Sequence, residues 1–168
     1  MEVFEAVRTL LAVRNYQETP VPEEVVRQIL EAGRLSASGM NAQPWHFVVV
    51  ENRDTLRQLG TLARTGSYVA QAPIAIVVAV DKTPLAISDA SRAIQSMLLT
   101  AWAAGIGSNW VGFSGMDNVK PVLGIPDELD VIAILPFGYP AADIGQGKKK
   151  RKPLGEIASR ERFGEPVA

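Results

Sequence analysis

Cysteine is absent from this 168-residue sequence, and histidine occurs once, at His46. A chain without cysteine can form no disulfide, no thiolate nucleophile and no thiolate metal site. A single histidine also disfavours a zinc centre or an enzyme built on two histidines, so we expect no bound metal. His46 falls within a predicted strand, where we expect it to pack on one face of the sheet. The lack of disulfides fits a cytoplasmic protein.

Long apolar runs are absent as well. No stretch is long and apolar enough to span a membrane, and the N-terminal MEVFEAVRTLLAVR lacks the cationic start and cleavage site of a signal peptide. We therefore expect no membrane partner. With 47% hydrophobic and 21% charged residues, the sequence suits one globular domain with a substantial core. We predict a single domain over residues 1–168.

The charge is unevenly placed although the formal net charge is only −1. Residues 148–152 are five consecutive bases, KKKRK, and leave 12 bases against 18 acids elsewhere in the chain. Such a run is a solvated tail, a nucleic-acid patch or a clamp for a phosphate group. A compact cationic spot on an acidic body favours a small anionic ligand over nucleic acid, which requires a broader basic face.

Residue periodicity predicts a mixture of helices and strands without an internal repeat or a linker, which indicates an α/β or α+β domain. The segment PIAIVVAV has no polar face, so we expect its strand to be covered on both sides. We expect Pro136 to break the last strand. Helices are predicted, in chain order, at residues 3–13, from a start signal at residues 19–24 to about 35, and at residues 52–63, 89–104, 118–123 and 153–163. Strands are predicted at residues 45–51, 73–80, 108–113 and 129–137.

Residues 36–44, SASGMNAQP, are an unusual approach to a strand. They contain small hydroxyls, a glycine and two amides, but no charge. Small side chains let a flat ligand approach the backbone closely, and hydroxyls and amides can bond to one edge of a heterocycle. An ordinary helix-to-strand loop has the same composition, so the residues alone leave both interpretations open.

Two short glycine motifs suggest chemistry that the rest of the sequence does not support. AGIGSNW, residues 104–110, has only the start of a dinucleotide fingerprint, and its glycines follow a helix rather than a strand. GFSGM, residues 112–116, lacks the spacing of a nucleophile elbow. We interpret the first motif as helix termination, and Trp45, Trp102 and Trp110 as core or interface residues.

Segments from the beginning to the end of the chain together resemble the nitroreductase-like FMN flavoproteins. SASGMNAQPWHFVVV is similar to that family's APSSxNxQPWxFxVV signature, and VRNYQETPVPEEVVRQILEAGRLS to its opening. DASRAIQSMLLTAWAAGIGSNWVGF is similar to its central helix and following strand, while LPFGYPA and KKKRKPL are similar to its last strand and basic tail. The resemblance covers essentially the whole chain, in the family's order.

The resemblance implies an α+β fold with a central, mostly antiparallel sheet of about four strands, in an intertwined homodimer that binds FMN at the subunit interface. It implies an oxidoreductase that takes hydride from NADH or NADPH and reduces nitroaromatics, quinones, flavins or related small acceptors by a ping-pong mechanism. The C-terminal segment, about residues 153–168, is expected to pack on the partner subunit. No protein side chain is expected to be catalytic, because the chemistry is carried by FMN.

The resemblance also assigns cofactor-binding residues by position. It implies that Arg14 lies near the flavin or its ribityl chain. Because reduced flavin holds negative charge at its N1/O2 edge, Arg14 is also our candidate for the positive charge there. The resemblance implies that Trp110, Val111 and Gly112 back the isoalloxazine ring, with a backbone N–H near N5, and that Lys149 and Arg151 hold the phosphate. Ser38, Gly39 and Asn41, from the partner chain, are expected to line the flavin and its ribityl chain.

This chain departs from the family pattern at two places. Leu10 and Ala12 stand where an arginine and a serine are usual, and we expect the run at residues 148–152 to compensate. Residues 64–72 are shorter than usual, and Arg64 and Tyr68 are the candidates for flavin contact there. Two other hypotheses remain open: a flavin carrier or sensor without nicotinamide turnover, and a nucleic-acid-binding protein.

Overall fold

A four-stranded antiparallel sheet forms the centre of the protein. The computed structural model describes residues 1–112, 116–145 and 149–167. The strands are β1 (Trp45–Val50), β2 (Ile74–Asp81), β3 (Gly107–Ser108) and β4 (Leu129–Gly138), in the order β1-β2-β4-β3. This arrangement confirms the α+β class and the central antiparallel sheet of about four strands. Parts of two predicted features, residues 113–115 of the GFSGM motif and Lys148 of the basic run, lie outside the described residues, as does Ala168.

Helices cover both faces of the sheet. They are α1 (Val3–Thr9), α2 (Glu23–Arg34), α3 (Arg53–Leu62), α4 (Ala86–Ala103) and α5 (Lys120–Leu123), with short 3-10 turns at Gly39–Asn41, Ser67–Gln71, Asp117–Val119 and Leu154–Glu156. Within the described residues, no helix is both long and apolar enough to cross a lipid bilayer.

Strand β2 lies at the centre of two hydrophobic layers, and its residues from Ile74 to Val80 are all buried. One layer joins Ile76 and Val78 to Ile94 and Met97 of α4. The other joins alternate residues of β2, Ala75, Val77 and Ala79, to Leu56 and Leu59 of α3. Because successive strand residues point to opposite faces, a strand packed on both sides has no polar face, which confirms the prediction for PIAIVVAV.

The edge strand β1 is buried only at its two ends. Trp45 and Val50 are buried, whereas the four residues between them are half-buried or exposed. His46 is exposed rather than packed, so that expectation was wrong. Its Nε2 lies 3.1 Å from Asp81 Oδ1 on the neighbouring strand. The cause is the position of β1 at the edge of the described sheet, where one long side has no strand beside it.

Three helix predictions need correction. Helix α1 ends at Thr9 rather than at residue 13, because the next residues are extended and pair with β3: Ala12 bridges Ser108, and the Val13 N–H donates to the Ser108 carbonyl (2.9 Å). Helix α4 begins at Ala86, three residues before the predicted start. The predicted C-terminal helix is a single turn at Leu154–Glu156 followed by bends.

Two strand predictions also need correction. The third strand is only two residues long, because the chain leaves the sheet after Ser108 and returns at Val111, which bridges Ile134. Pro136 does not break β4. It lies opposite Ala75, between the Val111 bridge at Ile134 and the β3 pairing at Phe137. A proline, which lacks an N–H, is tolerated best at such a gap in the ladder.

Candidate functional site

A cavity of about 630 Å³ lies between α1, α4, β3 and the segment that begins at Lys149. Extended residues Leu10, Leu11 and Ala12 form one wall, because the chain runs beside β3 after α1 ends. Helix α4 contributes Gln95 and Leu98 to its lining. The remaining lining residues are Val7, Arg8, Ser108, Asn109, Trp110, Lys149 and Arg151. The cavity therefore unites three predicted site residues, Trp110, Lys149 and Arg151, that are distant in sequence.

Positive charge is concentrated at one part of this cavity. Lys149 donates from Nζ to the Val7 carbonyl (2.5 Å), which ties the basic segment to α1. The pKa of Lys149 is lowered, chiefly by partial burial and further by repulsion from Arg151 and Arg8. Because two neighbouring cations repel Lys149, an anion bound beside it would be stabilised, and a phosphate carries more charge than one cation can neutralise.

A buried hydroxyl in the cavity wall is unpaired. Ser108 is 1% exposed, and its Oγ finds no hydrogen-bond partner among the described residues. Leaving such a group unpaired costs about 1–3 kcal/mol. A ligand with hydroxyls or a phosphate would pair with it, so the composition of this wall fits a phosphorylated polyol such as the ribityl phosphate of FMN.

Trp110, Val111 and Gly112 are fixed by different contacts. Trp110 lines the cavity, and its Nε1 donates to the Gly112 carbonyl (2.9 Å). Val111 is buried against Gly66, where an added Cβ would lie 2.2 Å from Val111 Cγ1, and its N–H donates to the Ile134 carbonyl (3.0 Å). Because that N–H already donates within the sheet, it is not available to flavin N5. Gly112 has a φ of +98°, a conformation that favours glycine.

The SASGMNAQP loop is held in a conformation that side chains rarely adopt. Met40, Asn41 and Gln43 have φ values of 52°, 56° and 49°. Ser38 Oγ accepts from the Gln43 N–H (2.9 Å), and Asp89 Oδ2 accepts from the Gly39 N–H (3.1 Å). Such strain persists only where surrounding contacts hold it, and it concentrates at functional sites.

Asp89 is the anchor of this loop. Its side chain is fully buried, and its Oδ1 accepts from Arg92 Nη2 (2.6 Å) while Oδ2 holds Gly39. Ser38, Gly39 and Asn41 are not among the described lining residues of the cavity. Gln95 follows Asp89 by six positions on α4, which corresponds to about 9 Å along the helix. The structure of one chain thus keeps this loop apart from the cavity.

Arg14 lies beyond the cavity wall rather than in it. It is exposed, and it is not among the described lining residues. Its charge acts on buried Tyr16, whose pKa is raised by burial first and by nearby Tyr68, with Arg14 opposing the rise. Tyr68 in turn accepts a hydrogen bond from Asn109 Nδ2 (2.5 Å), which lines the cavity. Residues 64–72 therefore reach the site through Tyr68, whereas Arg64 is exposed and outside the described lining.

The sequence did not predict five polar residues of the site and its support: Arg8, Asp89, Gln95, Ser108 and Asn109. Arg8 follows Glu5 by three residues on a helix, which is the pattern of a surface ion pair and concealed it. Ser108 and Asn109 lie within AGIGSNW, whose glycines indicate the end of a helix rather than a binding site. Asp89 carried a signal in principle, as an acid in the first turn of a predicted helix, but its burial depends on tertiary packing.

Comparison with known proteins identifies extensive similarity. The nitroreductase family model matches residues 11–71 and 64–139. A candidate NADH dehydrogenase/NAD(P)H nitroreductase of Methanothermobacter thermautotrophicus is 35% identical over 154 residues, covering 86% of this chain and 81% of that protein. The crystal structure of a candidate NADH dehydrogenase/NAD(P)H nitroreductase from Bacteroides thetaiotaomicron superposes with a TM-score of 0.88, at 27% identity, covering 95% of this chain and 98% of the other. The crystal structure of a candidate nitroreductase in complex with FMN, from Desulfovibrio desulfuricans, is 32% identical, with a TM-score of 0.82 and coverage of 97% and 98%.

Proposed function

The chain belongs to the nitroreductase family, and we propose that it is an FMN-dependent oxidoreductase that takes hydride from NADH or NADPH and reduces small acceptors. The family match over residues 11–139 confirms the resemblance read from the sequence. Names of relatives support the activity, since they include a candidate NAD(P)H nitroreductase and an FMN reductase [NAD(P)H], both of Bacillus subtilis. Nitroaromatics, quinones and flavins are the acceptors we propose, in a ping-pong sequence at one site.

The observation that carries this proposal is the cavity that joins Trp110 and the unpaired Ser108 hydroxyl to Lys149 and Arg151. Lys149 and Arg151 would hold the phosphate through charge-assisted hydrogen bonds. Ser108 would bond to the ribityl phosphate, and Trp110 would lie against the flavin ring. Arg14 remains our candidate for the N1/O2 edge, where positive charge would stabilise the anionic reduced state.

FMN, when bound, supplies the hydride and electron chemistry. The residues of the chain would bind and orient it: the cations would fix the phosphate, and the wall of residues 10–12 with Trp110 would shield it from water. The loop of residues 36–44 from the second chain of a dimer would supply polar groups. Reaction rate then depends on placement of the acceptor against the ring rather than on a side chain that transfers protons.

We propose that the protein acts as a homodimer, because its monomer exposes apolar residues that a partner would cover. Phe4 of α1 is 77% exposed and Phe163 is fully exposed. Leu154 and Ile157 are about two-thirds exposed, at 66% and 67%. Three of these four residues lie between positions 154 and 163, and apolar surface left exposed on one segment is typical of an association site. In a dimer, the partner would supply Ser38, Gly39 and Asn41 to the flavin, which accounts for their separation from the cavity in one chain, and residues 153–168 would pack on it.

The basic run favours a phosphate over nucleic acid. Lys149 points back to the Val7 carbonyl and the cavity, and Arg151 lines the same cavity. Residues so directed present no extended basic face to a nucleic-acid backbone.

The test is a comparison of FMN with riboflavin, which lacks the phosphate. Lys149→Ala combined with Arg151→Ala should weaken FMN on the order of a hundredfold, because two charge-assisted hydrogen bonds are lost. Riboflavin affinity should change little. The matched control is Lys150→Ala with Lys152→Ala, which removes the same charge from residues outside the described cavity lining. Equal losses for both flavins, or for both variant pairs, would place phosphate recognition elsewhere.

A further inference from the structure

Arg8 is a third cation at the cavity that the family pattern does not assign. Helix α1 places it in the last turn, directly after Val7, whose carbonyl binds Lys149. Arg8, Lys149 and Arg151 all line the cavity. The lowered pKa of Lys149 has Arg8 among its causes, which agrees with their closeness.

The adjoining wall lacks the polar groups that the family usually has there. Leu10 and Ala12 line the cavity with apolar side chains, so positive charge on this side has to come from another residue. Arg8 lies two positions before Leu10, on the same cavity, and its long side chain can reach farther than its backbone position suggests.

Arg8 is at present paired with Glu5. Its Nε donates to Glu5 Oε2 (2.9 Å) and its Nη2 to Glu5 Oε1 (2.7 Å), and both side chains are about half exposed, at 49% and 44%. An exposed ion pair of this kind is weak and exchanges partners readily. A phosphate offers the same bidentate geometry with greater charge, and beside Lys149 and Arg151 it would compete with the carboxylate.

We propose that Arg8 is a phosphate-binding residue that substitutes for the arginine missing at Leu10, and that Glu5 competes with the phosphate for it. This inference rests on the proposed function, since the anion is the FMN phosphate. It gives Glu5 a specific role: the carboxylate lowers the affinity for phosphorylated flavin without touching the flavin itself. Discrimination between FMN and riboflavin is then set partly by an acid on α1.

The experiment is fluorescence titration of Arg8→Gln, Glu5→Gln and the double variant with FMN and with riboflavin at low salt. Arg8→Gln should weaken FMN about fivefold to tenfold, because a charged hydrogen-bond donor is lost, and should leave riboflavin within about twofold. Glu5→Gln should tighten FMN about twofold to fivefold, since the competing ion pair is gone. The double variant should match Arg8→Gln, because Glu5 acts only through Arg8.

A matched control exists on α2, where Arg34 pairs with Glu31 at the same spacing, Nη2 to Oε1 at 2.5 Å. Arg34→Gln and Glu31→Gln should leave the affinities for FMN and for riboflavin unchanged. Unchanged FMN affinity in Arg8→Gln, or weaker FMN binding in Glu5→Gln, would overturn the inference. The Glu5→Gln measurement remains a test even if Arg8→Gln folds poorly. If wild-type protein binds FMN no better than riboflavin, the phosphate assignment of the proposed function fails as well. If it prefers FMN and Arg8→Gln keeps that preference, only the role of Arg8 fails.

Discussion

Substitution of Asp89 tests most directly whether the contacts of α4 hold the loop at residues 36–44 in its conformation. The buried carboxylate of Asp89 accepts hydrogen bonds from the Gly39 N–H (3.1 Å) and from Arg92 (2.6 Å). Asp89→Ala removes both and leaves the Gly39 N–H unpaired in a loop whose Met40 and Asn41 have positive φ values of 52° and 56°. We expect the loop to relax and the flavin site to lose its shape.

The magnitude follows from the bonds that are lost. A hydrogen bond to a charged group contributes about 1.5–3 kcal/mol, and Arg92 is half exposed, so its pairing adds little to the Gly39 bond. We therefore expect Asp89→Ala to lower the free energy of unfolding by about 2–3 kcal/mol. Asp89→Asn keeps an acceptor for Gly39 at nearly the same shape, so it should cost about 1 kcal/mol.

Three measurements separate the possible outcomes. Urea denaturation gives the free energy of unfolding, amide hydrogen exchange reports local opening at Gly39 to Gln43, and flavin titration gives the FMN dissociation constant. Asp89→Ala should speed exchange in the loop and weaken FMN, and Asp89→Asn should do both to a lesser degree. If Asp89→Ala speeds exchange but leaves FMN affinity unchanged, the loop of residues 36–44 is not part of the flavin site.

Three further predictions concern the cavity and its support. Gly66→Ala should lower the free energy of unfolding in urea denaturation by about 1–3 kcal/mol, because its Cβ would lie 2.2 Å from Val111 Cγ1. Adding Val111→Ala should recover part of that loss, and strictly additive effects of the two substitutions would refute this contact. Ser108→Ala should raise the melting temperature of the flavin-free protein, because the unpaired buried hydroxyl destabilises it. It should also reduce the rise in melting temperature that FMN causes, because the hydroxyl would contact bound FMN. A variant that melts lower than wild type without flavin, and is stabilised by FMN as much as wild type, would contradict that role. FMN should dissociate more readily at high salt, because the charges of exposed cations are screened beyond about 8 Å at physiological ionic strength. Leu10→Arg with Ala12→Ser should reduce this loss of FMN affinity. An affinity of the wild type that does not depend on salt would exclude a phosphate site made of exposed bases.

The sequence predicted the fold well where local pattern and tertiary packing agree. PIAIVVAV, which has no polar face, forms the buried central strand. Asn52, at the predicted start of a helix, accepts from the N–H groups of Asp54 and Thr55. The apolar spacing of residues 3–11 suggested a longer helix, but pairing of Ala12 with Ser108, distant in sequence, ended it. The exposure of His46 likewise depended on which strand forms the edge.

The candidate site was predictable only in part, for a related reason. Resemblance led to Trp110, Lys149 and Arg151, which share one cavity. Arg8 and Ser108 belong to it because of neighbours far away in sequence, and neither residue type nor local spacing marks such a role. Burial of Asp89 is also a tertiary property, since an acid in the first turn of a helix is ordinarily exposed.

The central claim, that this protein passes hydride from a nicotinamide to a bound flavin, is tested most directly by anaerobic titration of the FMN-loaded protein with NADH and with NADPH. We expect the yellow absorbance of oxidised FMN to bleach rapidly with one or both donors, and to return when a quinone or a nitroaromatic is added. A flavin that stays oxidised with both donors, in protein that binds FMN tightly, would contradict the account and identify a carrier or sensor.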